Sequence, residues 1–355
     1  MNTTHFSGLD GFVWFIGVVE NNNDPDKLGR VKVRAYGHHT PDLNNIPLEL
    51  LPWATVMAPT NDTSMQGQGS FRKLEPGTWV VGFFLDAEEK QQPVVMGTLK
   101  GKPNQAPNKL VGFNDPNESN PQKKVEHSGH GTDKDDNDYS TETQFIESDV
   151  NRLARNETDL SHSVLSTKET NRTKEIPIAN KTETYDEPSS TYASVYPNNN
   201  VTETSSGHIK EYDDTTDAER IHEYHKSGTF YEIDKDGNKV TRIVGDNYSI
   251  IAGTDYVNVK GDVNLTIDAN CNTYVKGDWN IQVDGNVIEN IKGTYDQNVT
   301  GNATMDAKTI NLNSGTKGAA RLDDQVDTGD DPAGISGSDG SNKIESSSTT
   351  VIIGD

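Results

Sequence analysis

From Gly245 onward the chain repeats itself every eight residues, and no other feature restricts its fold so tightly. Gly245, Gly253, Gly261, Gly277, Gly285, Gly293 and Gly301 keep this spacing, and Ala269 fills the one missing place. Two positions before each stands Ile243, Ile251, Val259, Ile267, Val275, Val283, Ile291 or Val299, a column that is β-branched throughout. A register this long takes precedence over other sequence signals. Counted from each glycine, offsets two, four and six are often apolar, as in Val263, Leu265, Ile267 and in Trp279, Ile281, Val283. That is period two, so each octet reads as a strand with one buried face. The glycine reads as a corner where a side chain would clash or φ must be positive.

Eight extended residues reach at most about 26–29 Å. One chain cannot wrap a closed prism around its own core with sides of that length. Three chains supply three octets per turn, which can. The repeat therefore predicts a triple-stranded, intertwined β-helix with Gly245, Gly253, Gly261, Ala269, Gly277, Gly285, Gly293 and Gly301 at its corners. Ile251, Val259, Ile267, Val275, Val283, Ile291 and Val299 would line the trimer core. A one-chain solenoid would need longer periods or several repeats per coil, and an antiparallel sandwich does not explain a strict eight.

Composition agrees with a thin fold. Only 31% of the 355 residues are hydrophobic, against about 45–50% in ordinary domains when Gly is counted. Mean hydropathy is -0.77. Such a chain cannot fill one large globular core, but a fibre needs few apolar residues per unit length. The net charge of -23 argues against nucleic acid as a partner, since phosphate binding needs clustered Lys and Arg. It argues equally against docking on anionic membranes. Cys271 is the single cysteine, so no intrachain disulfide and no thiolate metal cluster is expected. The start MNTTHFSGLDGF reads as no secretory signal, and no window approaches eighteen apolar residues.

The rest of the chain divides by composition. Residues 1–102 hold five apolar runs, FVWFIGVVE, GRVKVRAYG, LPWATVMAP, TWVVGFFLD and PVVMGTL, separated by Gly, Pro, Asn and Asp. Five short strands predict a small barrel of the OB type. Residues 103–190 read as a polar linker, partly disordered. Within it Ile146, Val150, Leu153, Leu160 and Val164 suggest one short amphipathic helix. Residues 191–244 read as a β-rich entry to the shaft, 245–312 as the β-helix, and 313–355 as a tip or frayed tail.

These segments together resemble a known family. The octets, with SGHIKEYDDTTDAERIHEYHKSGTFYEIDKDGNKVTRIVGD before them, are similar to the valine-glycine-repeat spikes of contractile-tailed phages and type VI secretion systems. GRVKVRAYG, LPWATVMAP, PGTWVVGFF and QPVVMGTL resemble the family's N-terminal OB domain. The likeness covers roughly two-thirds of the chain and looks closest to the central spikes of myovirus baseplates. It implies a homotrimer in the virion tail baseplate, with the OB domain on a trimeric hub protein. The β-helix would breach the host outer envelope on sheath contraction, and a separate protein could cap its tip. No catalytic residue, cofactor or metal is implied. The alternatives are a spike-borne peptidoglycan hydrolase, a secretion-system spike and a trimeric glycan-binding adhesin. Phage members of the family often carry a lysozyme domain between the two parts.

Candidate sites elsewhere are weak. Glu126, Asp135 and Thr141 match a lysozyme spacing, but the surrounding VEHSGHGTDKDDNDYST lacks the apolar pocket that keeps a general acid protonated. His222 and His225, with His208, or His127 with His130, lack metal-ligand context and read as surface or trimer-core packing. DKDGN at 234–238 lacks the later ligands of a calcium loop and reads as a hairpin turn. GQGSFR lacks the GK[ST] of a phosphate loop. Cys271 falls on an inward offset and reads as a small core residue. GAARLDD at 318–324 resembles Pro-Ala-Ala-Arg tip proteins, without their Cys and His ligands.

Overall fold

The computed structural model describes residues 12–101, 110–113, 148–156 and 162–308. The chain divides into two compact units, Met1–Cys271 and Asn272–Asp355. The first holds a barrel and a five-stranded sheet.

Each of the five apolar runs contains a strand: β1 Trp14–Asn21, β2 Val31–Ala35, β3 Trp53–Val56, β4 Trp79–Phe84 and β5 Pro93–Thr98. They close a barrel in the order β1-β2-β3-β5-β4, with β3 and β5 parallel and β1 pairing β4 to seal it. This is the OB arrangement expected from the sequence. Alternate residues point inward, and Phe15, Val19, Val31, Val33, Ala35, Ala54, Val80, Phe84 and Val95 form the core. The Phe15 and Phe84 rings meet at 4.9 Å. Gly82 lies beneath them, and a Cβ there would run into the Val94 carbonyl and the Phe15 ring.

Every residue of β2 is buried, although Lys32 and Arg34 point away from the core. A covering strap explains this. Lys32 Nζ donates to the carbonyls of Leu48 and Glu49. Arg34 donates to Glu20 Oε1 at 2.7 Å and to the Thr40 and Ile46 carbonyls at 2.8 Å each. The Phe113 amide donates to the same Glu20 oxygen, and its ring stacks on Trp79. Gly112 packs where any Cβ would strike the Arg34 guanidinium. One buried ion pair thus fastens both the strap after β2 and the stretch at 110–113 to the barrel. Beyond the barrel, Gly101 and Asp149 exchange hydrogen bonds at 2.8 and 2.9 Å, holding two points of the chain far apart in sequence side by side.

The single helix expected near Ile146–Val164 is instead two, α1 Arg152–Arg155 and α2 His162–Thr170. Asn156, at φ 52° with its amide on the Arg152 carbonyl, ends α1 in a left-handed cap. Leu153 and Val164 of the predicted stripe are buried, while Ile146 and Leu160 lie outside the described residues. Short strands β6 Ile176–Pro177 and β7 Thr184–Tyr185 pair next. Then β8 Asn199–Glu203, β9 Ile209–Asp213, β10 Arg220–Tyr224, β11 Phe230–Ile233 and β12 Lys239–Arg242 form an antiparallel meander in sequence order. DKDGN makes the β11–β12 hairpin as expected: Asp234 accepts from the Asp236 and Asn238 amides, and Gly237 takes φ +81°. No helix among the described residues is long and apolar enough to cross a membrane.

Removing Arg34 would leave Glu20 charged and buried. Arg34→Met should therefore cost about 3–5 kcal/mol, whereas Arg34→Met with Glu20→Leu should recover much of that loss. Denaturant midpoints followed by tryptophan fluorescence check this, since Trp14, Trp53 and Trp79 all sit in the barrel strands.

Candidate functional site

Two features carry the chemistry of this molecule: the octets and the sheet that precedes them. Within the octets the backbone bends at residues 244–245, 252–253, 260–261, 268–269, 276–277, 284–285, 292–293 and 300–301. Each of the eight positions read as corners therefore lies in a bend, Ala269 included. Between bends, no residue from 243 to 308 belongs to a hydrogen-bonded strand, and nearly all are exposed.

Of the two reasons expected for the glycines, a positive φ is not found, and a clash is not found within one chain. None of the octet glycines has a positive φ, and a Cβ on any of them would meet nothing within 4 Å. Within one chain, glycine is required neither by backbone conformation nor by a neighbouring atom. Any steric demand for it has to come from another molecule.

The apolar side chains are not equally exposed. Ile251, Val259, Ile267, Val275, Val283, Ile291 and Val299 fall between 43% and 53%. Val263, Leu265, Trp279 and Ile281, also apolar, lie between 68% and 77%. Cys271, read as inward, is exposed in the single chain. A row of large apolar side chains without cover, on a backbone that forms no ladder among the described residues, is the surface that associating strands bury.

The sheet has an inverted interior. On β9 and β10 the residues facing inward are Ile209, Glu211, Asp213, Arg220, His222 and Tyr224. Arg220 donates to Glu211 Oε1 at 2.6 Å and to Glu232 Oε2 at 2.9 Å. Lys168, brought in by α2, donates to Glu232 at 2.7 Å and lies 4.1 Å from the centre of the Phe230 ring. Asn199 of β8 donates to Glu211, and Ser194 bonds Asp213. Two cations thus answer two glutamates in a space closed to water, the condition under which buried charge is tolerated.

His222 belongs to this network and is fully buried inside its own chain. That replaces the reading of it as surface or trimer-core packing. Its Nδ1 lies 2.6 Å from Glu211 Oε2, and its Nε2 lies 3.4 Å from Lys168 Nζ. An ammonium only donates, so Nε2 accepts and Nδ1–H donates to the carboxylate. Burial pushes this imidazole below its ordinary range, against the Glu211 hydrogen bond, and the Lys168 charge adds to the fall. Burial pushes Glu211 up, but the His222 hydrogen bond and Arg220 outweigh it and hold the carboxyl at about 2. For Glu232, Lys168 and Arg220 outweigh burial to the same result, about 2. His225 is exposed and bonds Ser227, and its ring lies 4.5 Å from that of His208. No metal-holding group of His, Cys, Asp or Glu occurs among the described residues. Glu126, Asp135, Thr141, His127, His130, GAARLDD and the region 313–355 lie outside the described residues.

A family model described as the Gp5 N-terminal OB domain matches residues 35–202. That span runs from the last residue of β2, through β3–β5 and both helices, into β8. Among curated proteins, "Protein Gp5" of Vibrio phage KVP40 is 39% identical over 300 residues. The alignment covers 76% of this chain and 66% of that protein. The "Pre-baseplate central spike protein Gp5" of Enterobacteria phage T4 is 46% identical over 109 residues, covering 29% of this chain and 19% of the T4 protein. The chain thus spans just under two thirds of the first relative and a fifth of the second.

The buried network should make stability depend on pH in two stages. His222 is held neutral, so its folded pKa lies below the unfolded value near 6.5. The stability this contributes is complete above that value and is lost as pH falls below it. Glu211 and Glu232 contribute above about 4.5, and that share is lost as pH falls toward about 2. The protection factors of the β9–β11 amides, taken against the intrinsic exchange rate at each pH, should therefore fall below pH 6.5 and again below 4.5. His222→Gln should remove the first stage and leave the second.

Proposed function

The chain carries the Gp5 N-terminal OB domain and is a relative of the phage Gp5 baseplate spike proteins, and from that premise we propose that it is a homotrimeric central spike of a contractile tail. In this reading the octets of three chains intertwine into a β-helix, and the OB barrel attaches the trimer to a trimeric hub protein. Sheath contraction drives the β-helix through the host outer envelope, and a separate protein could cap its tip. The role is structural and located in the virion tail baseplate. It involves no catalytic residue, cofactor or nucleic acid.

One observation carries the reading. The chain bends at every octet and leaves its β-branched column about half exposed, with no strand partner between residues 243 and 308. Backbone groups that join no ladder must hydrogen-bond to water, to side chains or to other strands. Three copies in the same register supply those strands and cover the column at one step. The name of the T4 relative, a pre-baseplate central spike protein, supports the baseplate assignment.

In native buffer, light scattering should give three times the chain mass of 38.9 kDa. The trimer should resist SDS at room temperature and run as a monomer after boiling, because a ladder without edges opens cooperatively. Val275→Asp would place three carboxylates together near the threefold axis and should cost several kcal/mol per chain. Gln282→Asp, on the outward side, should cost about 0.5 kcal/mol or less. The temperature at which the SDS-resistant species dissociates measures both. A monomer in native buffer, or equal effects of the two substitutions, would refute the intertwined core.

A further inference from the structure

The residue just before each corner follows a rule of its own. From the octet ending at 260, this position reads Lys260, Asp268, Lys276, Asp284, Lys292. The sign alternates at every step. All five are exposed, and none makes an ion pair within the described chain.

The residue just after each corner follows a matching rule. It reads Asp262, Asn270, Asp278, Asn286. An Asp follows the Lys corners at 260 and 276, and an Asn follows each Asp corner. No two successive octets place Asp at this position.

The alternation has a consequence in a three-chain β-helix. With one octet per side, each chain moves to the next side after eight residues. A given side is then built by octet n of one chain, octet n+1 of a second and octet n+2 of the third. Neighbours stacked along a side, about 4.8 Å apart, are successive octets of different chains. The column therefore stacks Lys on Asp on Lys, always between chains. Asp in the following column stacks on Asn.

We propose that this alternating column is a self-complementary charge code, recognised by two further copies of this chain, that sets the axial register of the trimer. The inference rests on the three-chain reading above. The core column cannot set the register, because it is β-branched at every octet and a slip of eight residues leaves it equally well packed. Such a slip in one chain brings Lys against Lys and Asp against Asp along every side that chain joins. Like charges directly opposite destabilise a sheet. Wrong partners are rejected by such repulsion as much as right ones are attracted.

The test uses full-length chains in low salt, where screening is weakest. One variant, Asp268→Lys with Asp284→Lys, makes the column all Lys. A second reverses it with Lys260→Asp, Asp268→Lys, Lys276→Asp, Asp284→Lys and Lys292→Asp. The second also carries Asp262→Asn, Asn270→Asp, Asp278→Asn and Asn286→Asp. The all-Lys trimer should lose SDS resistance at a lower temperature than the natural one, and the reversed trimer should match the natural one.

With Cys271→Ser and Gln282→Cys in every chain, spin labels on the new cysteine read the register from interchain distances. Natural and reversed trimers should each give one narrow distance. A neutral column, with Lys260→Gln, Asp268→Gln, Lys276→Gln, Asp284→Gln and Lys292→Gln, should instead spread over registers displaced in steps of about 4.8 Å. One unchanged narrow distance in the neutral trimer overturns the code, as does equal thermal resistance of the all-Lys and natural trimers. If the all-Lys chain fails to assemble, the neutral trimer still decides. A monomeric natural chain would remove the three-chain reading itself, whereas a neutral trimer held in one register would remove the code alone.

Discussion

A strand that has no partner in its own chain is the constraint behind everything else here. Between residues 243 and 308 the backbone bends at every octet and forms no ladder, and its apolar column stays about half exposed. Elsewhere in the molecule each strand finds its neighbour within a few tens of residues. The octets cannot do so, because eight residues are too short a run to fold back on a core of their own. In the proposed trimer their stability is collective. The low apolar content and the repetition follow from that one condition, since a thin assembly buries one narrow column per chain.

The sheet before the octets solves the opposite problem. It is small, and beside the apolar cluster of Leu153, Val164, Ile209, Tyr224 and Phe230 its interior holds Arg220, Glu211, Glu232, Lys168 and His222, where a larger domain would place leucines. A buried ionic network is weak evidence of stability, because desolvation cancels much of the attraction. It is strong evidence of geometry. Every member has fixed donors and acceptors, so α2, β8, β9, β10 and β11 meet in one arrangement. In the proposed trimer, a sheet that leads into the repeat benefits from such definition, since an apolar interior of this size could repack or open toward other chains.

What could be read from the sequence depended on how local the physics was. The barrel strands were legible because FVWFIGVVE or TWVVGFFLD concentrates β-branched and aromatic residues between turn formers. The repeat was legible because its spacing is exact over eight octets. The ionic interior was not, because Lys168 and Glu232 lie 64 residues apart. Period two in β9 and β10 also puts charge on the face that normally reads as core. One signal was present: Glu211, Asp213, Arg220 and His222 share parity with Ile209 and Tyr224. What the corner glycines are needed for is not visible in the described residues of their own chain, for the same reason of locality.

Repetition brings a difficulty that a non-repeating fold never meets. Positions that build the core must be alike at every octet, and whatever is alike at every octet carries no information about position. In the three-chain reading proposed above, hydrophobic burial specifies that the chains join but leaves open how far each is displaced along the others. A distinction between registers has to come from positions outside the core, where residues are free to vary. It also has to be antisymmetric from one octet to the next, so that the correct register is attractive and the nearest wrong one repulsive. Charge is the one side-chain property with two signs. Its weakness at exposed sites matters little here, because the choice lies between registers whose cores are otherwise equal, and a small difference repeated along three sides is enough to separate them.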